Sequence, residues 1–231
     1  MGFKDSINAN DLSYSIAHEL RMPLLKIARL SELQQSSRQP SLEAIEVIAD
    51  SVLKLLDSYL IRTRYTNEQI QLELEPVSLS AVMYDVAQYL DRLSRAQNCE
   101  IRLKVQKNSG LVLAHHQGIK MAFLSLCYAF LHSTDHTKKA IISLEAHRTQ
   151  NKVVAGVLCN DLHIEKSAFN KGQQLYGRAY QSIKDIPTNG AGYFIAADLF
   201  ETMTVPLQFI HSTRRFGVMG TFRSSLQLNL L

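Results

Sequence analysis

Residues 15–27, which spell SIAHELRMPLLKI, decide how the first part of the chain folds. A helix turns by about 100° per residue, so one sector of about 80° holds four apolar side chains, those of Ile16, Leu20, Leu24 and Ile27. His18 lies about 165° from the middle of that sector. The stretch is therefore predicted to form an amphipathic helix that carries His18 outside its apolar stripe.

A proline inside this predicted helix changes how His18 is interpreted. Pro23 removes one backbone hydrogen bond and clashes with the carbonyl of Glu19, at a cost of about 3 kcal/mol or more. Taken alone, the pattern favours an ordinary surface histidine. A bend beside an exposed His–Glu pair instead favours a chemical role for His18. Glu19 can orient the imidazole and take its proton while the other ring nitrogen acts as a nucleophile. The outward neighbours that predict a docking surface are Arg21, Met22, Leu25 and Arg29.

Composition bounds the class of protein. The chain has 231 residues, 46% of them hydrophobic and 20% charged, which predicts one large or two small folded domains. A net charge of +4 is too small and too dispersed to indicate nucleic acid or a membrane surface as a partner, and no nucleic acid partner is predicted. Three cysteines without CxxC spacing predict buried, reduced thiols in a cytoplasmic protein. We expect no membrane span within the chain, and a cytoplasmic location that also fits the cytoplasmic part of a longer sensor protein.

Two predicted helices, residues 5–36 and 42–65, flank the turn SSRQPS. The second helix has a seam with spacings of three and four, formed by Ile45, Ile48, Val52, Leu55 and Tyr59. A second apolar strip consists of Leu42, Leu53, Leu56 and Leu60. Strips this wide predict a hairpin that pairs with a second copy as a homodimeric four-helix bundle. The alternative is that residues 66–231 of the same chain cover them.

The remainder alternates between helical and strand patterns. Residues 67–76 are predicted to be a linker, residues 80–97 and 117–133 helices, and a further helix follows Gly192. Strands are predicted at 99–106, 111–114, 140–146, 152–159, 206–211 and, in GTFRSSLQL, 220–228, with 152–159 central because it is mostly apolar. The expected fold class is α+β, with a dimerisation hairpin at 1–66 and an α/β sandwich at 77–231.

The heptapeptide HELRMPL, residues 18–24, resembles the phosphoacceptor box of sensor histidine kinases, usually HELRTPL, at six of seven positions. The stretch from 72 to 105 also resembles the entry to the ATP-binding domain of that family. The resemblance implies a dimeric four-helix bundle followed by a GHKL-type α/β sandwich. It further implies that His18 exchanges a phosphoryl group with a response regulator aspartate, with Glu19 as acid and base.

The nucleotide boxes of that family are altered in this sequence. Where the family writes LLNLLDNAIKYT this chain has MAFLSLCYAFLHST, so the two asparagines, one of which holds magnesium, become Ser125 and Ala129. The DNGPGI box falls on CNDLHI, which puts Cys159 in place of the aspartate that contacts adenine. The vestigial cofactor-binding residues are Asn160, Gly190 and Gly192, and a one-residue shift would let Asn160 or Asp161 serve in place of the lost aspartate. We therefore expect ATP and Mg²⁺ binding to be weak or absent.

Four positions after the phosphoacceptor the family usually has a polar residue, and this chain has Met22 there. In the family that residue is thought to orient water for the phosphatase reaction, which a thioether supports poorly. The histidines at 115, 116, 132 and 136 match no zinc spacing, so no metal site is predicted.

Three functions stay open at this stage. The first is phosphotransfer through His18 within a phosphorelay, by a phosphoprotein whose kinase activity is weak or lost. The second is a kinase-dead dimeric scaffold, or pseudokinase, that binds a response regulator. The third is a transferase that remains an active histidine kinase with an unusual ATP site.

Overall fold

The computed structural model describes residues 73–106, 110–134, 138–160, 191–212 and 215–225. It also describes nine separate helical residues nearer the start of the chain: Leu20, Leu24, Leu25, Ile27, Ile45, Ala49, Leu53, Leu56 and Leu60. The predicted four-helix bundle lies outside the described residues. In the described ranges no helix is both long and apolar enough to cross a membrane.

Three helices and seven strands make up the described domain. The helices are α1 (Leu79–Ala96), α2 (His116–Ser133) and α3 (Ala191–Thr202). The strands are β1 (Glu75–Ser78), β2 (Cys99–Val105), β3 (Leu111–Ala114), β4 (Ala140–Thr149), β5 (Lys152–Cys159), β6 (Leu207–Ser212) and β7 (Arg215–Arg223).

The main sheet has five strands in the order β2-β4-β5-β7-β6. β2 and β4 run parallel, and the other neighbours are antiparallel. β1 and β3 form a separate antiparallel pair in which Val77 lies opposite Val112. A bridge from Val112 to Ser224 ties that pair to the end of β7.

The helices form where local sequence satisfies both their ends and their apolar faces. The Ser78 hydroxyl accepts from the Ala81 amide at the start of α1, whose buried residues recur at spacings of three and four. His115 caps α2 in the same way, because its Nδ1 accepts from the Gly118 amide at 3.0 Å. Every residue from Met121 to Leu131 is buried, so α2 runs through the core rather than along its surface.

The strands alternate between a face covered by helices and an outer face. The side chains of Ala140, Ile142, Leu144 and Ala146 on β4, and the odd-numbered side chains of β5, are buried in the core. α1 packs against β2, and α2 packs against β4 and β5. The prediction of an α/β sandwich covered on one face is confirmed by this arrangement, and β5 is the central strand, as its apolar run predicted.

Two boundaries differ from the sequence-based expectation. β1 begins at Glu75, within the stretch assigned to a linker. The last strand begins at Arg215 rather than near residue 220. Gly217 lies inside this strand and directly opposite Leu158, where a Cβ atom would meet the Leu158 Cα at 2.7 Å. The absence of a side chain at Gly217 lets β7 approach β5 closely, so the strand runs through this glycine.

Candidate functional site

The predicted nucleotide site comprises three fragments of the described domain: the middle of α2, the end of β5 and the start of α3. α2 packs against both of the other elements. The rings of Phe123 on α2 and Phe200 on α3 meet edge to face with centroids 5.7 Å apart. Phe222 on β7 lies 5.9 Å from Phe200 in a similar geometry. This aromatic cluster fixes the two helices relative to each other and to the sheet.

Ser125 and Ala129 lie one turn apart on α2, and both are buried. Ser125 is 0% exposed, and its hydroxyl has no hydrogen-bond partner among the described residues. Two residues correspond to about 200° of helical rotation, so Ser125 points away from the sheet that Phe123 contacts. α2 thus places an orphan hydroxyl and a methyl group at the positions of the two family asparagines.

This donor set does not fit a magnesium ion. Mg²⁺ requires near-octahedral oxygen ligation, and these two positions of α2 supply one hydroxyl oxygen between them. Within the ranges described above, no group of three or more histidine, cysteine, aspartate or glutamate side chains has a geometry that would hold a metal. These positions of α2 therefore offer no cation site through which a chemical step could proceed.

Cys159 is the last residue of β5 and is 1% exposed. It lies between Ile142 on β4 and Phe216 on β7, and the Phe130 ring contacts Phe216 at a centroid distance of 6.0 Å. A thiol at this apolar position offers no carboxylate to an adenine amino group.

The other two cysteines share this environment. Burial, followed by the proximity of Cys159, raises the pKa of the Cys99 thiol from 9.0 to about 11. Burial also raises the pKa of the Cys127 thiol, with a smaller effect from Cys99. All three cysteines are free and buried, which confirms that prediction. Neutral, buried thiols are poor nucleophiles and poor metal ligands at neutral pH.

Asn160 follows β5 and extends the ladder between β5 and β4. Its Oδ1 accepts from the Ile141 amide at 2.7 Å, and its own amide donates to the Ile141 carbonyl at 3.2 Å. The Asn160 side chain thus acts as a clip on the end of the sheet. Its carbonyl oxygen is committed to backbone rather than turned toward a ligand.

The third fragment is described only in part. Gly192 is the second residue of α3, so the predicted helix begins one residue before that glycine rather than after it. Gly190 lies outside the described residues.

Most of the predicted phosphoacceptor surface also lies outside the described residues: His18, Glu19, Arg21, Met22 and Arg29. Leu25 is helical and 43% exposed. Leu20 and Ile27 are half-buried, whereas Leu24, which the pattern placed in the same stripe, is 52% exposed in the single chain.

Sequence reasoning interpreted one polar residue correctly and missed one group. His115 was expected to be a solvated or capping histidine, and it is the cap of α2. The cations around Glu100 and Glu145 on the outer face of the sheet were not singled out. The available signal was the alternation of Glu100, Arg102 and Lys104 along one strand.

No protein-family model and no curated protein sequence matches this chain. Solved structures do match it. The histidine kinase AdeS of Acinetobacter baumannii has a TM-score of 0.60 at 11% identity, over 90% of this chain and 98% of that one. The histidine kinase ThkA, in complex with the response regulator protein TrrA, has a TM-score of 0.62 at 15% identity, over 95% of this chain and 63% of that one.

The catalytic domain of ThkA alone, in a nucleotide-free form, has a TM-score of 0.54 at 14% identity and covers 66% of this chain and 96% of that domain. At these identities the likeness concerns the fold. The described sheet and three helices have the fold of the catalytic domain of solved histidine kinases.

Proposed function

We propose that this chain is a two-component signalling protein of histidine kinase descent that passes a phosphoryl group through His18 to or from an aspartate of a response regulator. The observation that carries the proposal is HELRMPL, residues 18–24, upstream of a domain with the histidine kinase fold. That ThkA was solved with a response regulator supports the class of partner.

The transfer step uses the chain's own side chains. One imidazole nitrogen of His18 attacks the phosphorus of a regulator aspartyl phosphate, the phosphorus–oxygen bond breaks, and the aspartate leaves as a carboxylate. The resulting imidazolium loses its other ring proton to Glu19. Arg21 and Arg29 attract the acidic pocket of the regulator, and Met22 and Leu25 provide an apolar contact. Because Met22 does not orient water, loss of phosphate to water is slow.

The proposed domain organisation is a dimerising hairpin at 1–66, a linker at 67–76 and a catalytic-like domain at 77–231. Homodimerisation is supported by the helical residues Leu24, Leu53 and Leu60, which are 52%, 57% and 51% exposed in the single chain. Apolar side chains in this number favour a covering surface from a second copy. Light scattering at micromolar concentration should give a dimer, and a charge at Ile48 or Val52 should break it.

Impairment of the ATP site is supported by the buried Ser125, Ala129 and Cys159, which supply a single hydroxyl oxygen and no carboxylate to a nucleotide and its metal. Calorimetric titration with Mg-ATP should show weak binding or none. Micromolar affinity would restore the active-kinase alternative. The proposed location is the cytoplasm, either as a separate protein or as part of a longer sensor.

The deciding experiment separates three outcomes. The protein is incubated with radiolabelled ATP alone, and separately with a phosphorylated, labelled cognate regulator. We expect label on the protein only in the second case, lost in His18→Ala and retained in His116→Ala, a matched substitution at an exposed histidine. Label from ATP alone would identify a working kinase. Binding of the regulator without any label would identify a scaffold.

A further inference from the structure

The outer face of the five-stranded sheet, opposite the helices, carries most of the charge of that sheet. Glu100 accepts from Arg102 at 2.6 Å and pairs with Lys139 at 2.8 Å. Glu145 pairs with Lys104 at 3.2 Å and with Arg215 on the far side of β5. Each carboxylate is shared between two cations, so neither cluster is neutral.

A second feature of this face is a pair of like charges. Lys152 and Arg223 lie directly opposite each other on β5 and β7, and both are exposed. Their neighbours Val153 and Phe222 are buried in the core, so the two cations share the outer face. The described residues form no ion pair with either. Like charges directly opposite each other on a sheet destabilise it, so the fold carries a cost at this position.

We call the six cations of this surface the basic sheet face: Arg102, Lys104, Lys139, Lys152, Arg215 and Arg223. Glu100 and Glu145 are the only acidic residues on the described strands of the five-stranded sheet. The surface therefore has an excess of four positive charges, equal to the net charge of the whole chain.

Between the charges the outer face is closely packed. The Met219 side chain lies over Gly156, with its sulfur 2.7 Å from the position a Cβ would take there, and Leu158 lies over Gly217 in the same way. Both side chains are 5% exposed, so the surrounding cations, rather than an apolar patch, are the groups that this face offers to a partner.

We propose that the basic sheet face docks an acidic protein surface that sets carboxylates against the Lys152–Arg223 pair. A second copy of this chain does not fit, because two such faces would repel each other. Glu100 and Glu145 stand among the cations, which disfavours the uniform phosphate array of nucleic acid or of an anionic membrane. The inference does not rest on His18, so it can fail or hold independently of the phosphotransfer proposal.

The test uses the full chain and a short fluorescein-labelled polyglutamate peptide as the acidic probe. Binding is followed by fluorescence anisotropy at low salt, with double-stranded DNA and phosphatidylglycerol vesicles as parallel probes. The double variant Lys152→Gln/Arg223→Gln should weaken peptide binding about fivefold, since each exposed charge contact contributes roughly 0.5 kcal/mol. The matched control Arg92→Gln/Arg95→Gln removes the same charge from α1 and should change binding less than about twofold.

A second variant separates binding from folding. Lys152→Glu replaces repulsion with attraction across the strand pair, so it should raise the urea midpoint while it weakens peptide binding. Equal losses in the sheet and α1 variants would overturn the proposal, because net charge alone would then explain the binding. The proposal is likewise refuted if DNA or vesicles bind through these residues and the peptide does not.

Discussion

Gly156 allows the sharpest test of how the sheet is packed. The glycine lies opposite Met219, and a Cβ added there would come within 2.7 Å of both the Met219 Cα and the Met219 sulfur, and would also overlap the Val218 carbonyl oxygen. Two of these three atoms belong to the backbone of β7, so a rotamer change cannot relieve the overlap. In Gly156→Ala the two strands must therefore separate at the centre of the sheet.

Overpacking in a core typically costs 1–3 kcal/mol, and displaced backbone belongs at the upper end, so we expect Gly156→Ala to cost about 3 kcal/mol. For a domain of this size that corresponds to a fall of about 6–12 °C in Tm. Thermal unfolding followed by circular dichroism measures it. Gly118→Ala is the matched control, because its nearest contact is the His115 ring nitrogen at 3.2 Å, and it should stay within about 1 kcal/mol of the parent.

A double variant tests the assigned cause. Met219→Ala removes the sulfur but leaves the Cα and the Val218 carbonyl in place, so Gly156→Ala/Met219→Ala should remain unstable. If Gly156→Ala alone falls within about 1 kcal/mol of the parent, the close approach of β5 and β7 is wrong.

Three further predictions concern single polar groups. Asn160→Ala should lower the free energy of unfolding by about 1 kcal/mol in a urea titration, because it leaves the Ile141 amide without its 2.7 Å partner. Asn160→Asp keeps the acceptor and should lower it less. Equal losses would contradict a stabilising hydrogen bond from Asn160 to Ile141. The pKa of the Cys99 thiol is raised on folding from 9.0 to about 11, so its contribution to stability is full below pH 9 and is lost as the pH rises toward 11. The urea midpoint of Cys99→Ala should therefore decline less steeply than that of the parent between pH 9 and 11. An unchanged slope would refute the assignment. Ser125→Ala should stabilise the protein by about 1 kcal/mol because it deletes a buried unpaired hydroxyl, and destabilisation would reveal a partner for that oxygen.

Periodicity was sufficient to predict the elements whose pattern is local. α1 follows from apolar residues at spacings of three and four, and β5 from a continuous apolar run. The start of β7 was missed because a glycine such as Gly217 indicates a turn in a local pattern. Its role in the strand depends on contact with Leu158, which is far away in the sequence. Local patterns cannot supply that contact.

The candidate site likewise has residues that local sequence predicts and contacts that depend on distant parts of the chain. Positions such as Ser125 and Cys159 were located from a resemblance between short boxes, and the structure adds that both are buried. The clip formed by Asn160 and the pairing of Glu145 with Arg215 depend on strand register. Register is set by the assembled sheet, so neither contact was accessible from the sequence.

The position of β7 has a consequence for biosynthesis. Its residues leave the ribosome after those of every other described strand of the sheet, yet in space the strand lies between β5 and β6. Until Phe216–Arg223 emerge, one hydrogen-bonding edge of the apolar β5 has no neighbour, and β6 has no strand on which to dock. A nascent chain, or one cut short by a premature stop codon before Arg215, would therefore present an open apolar edge to chaperones and to other copies.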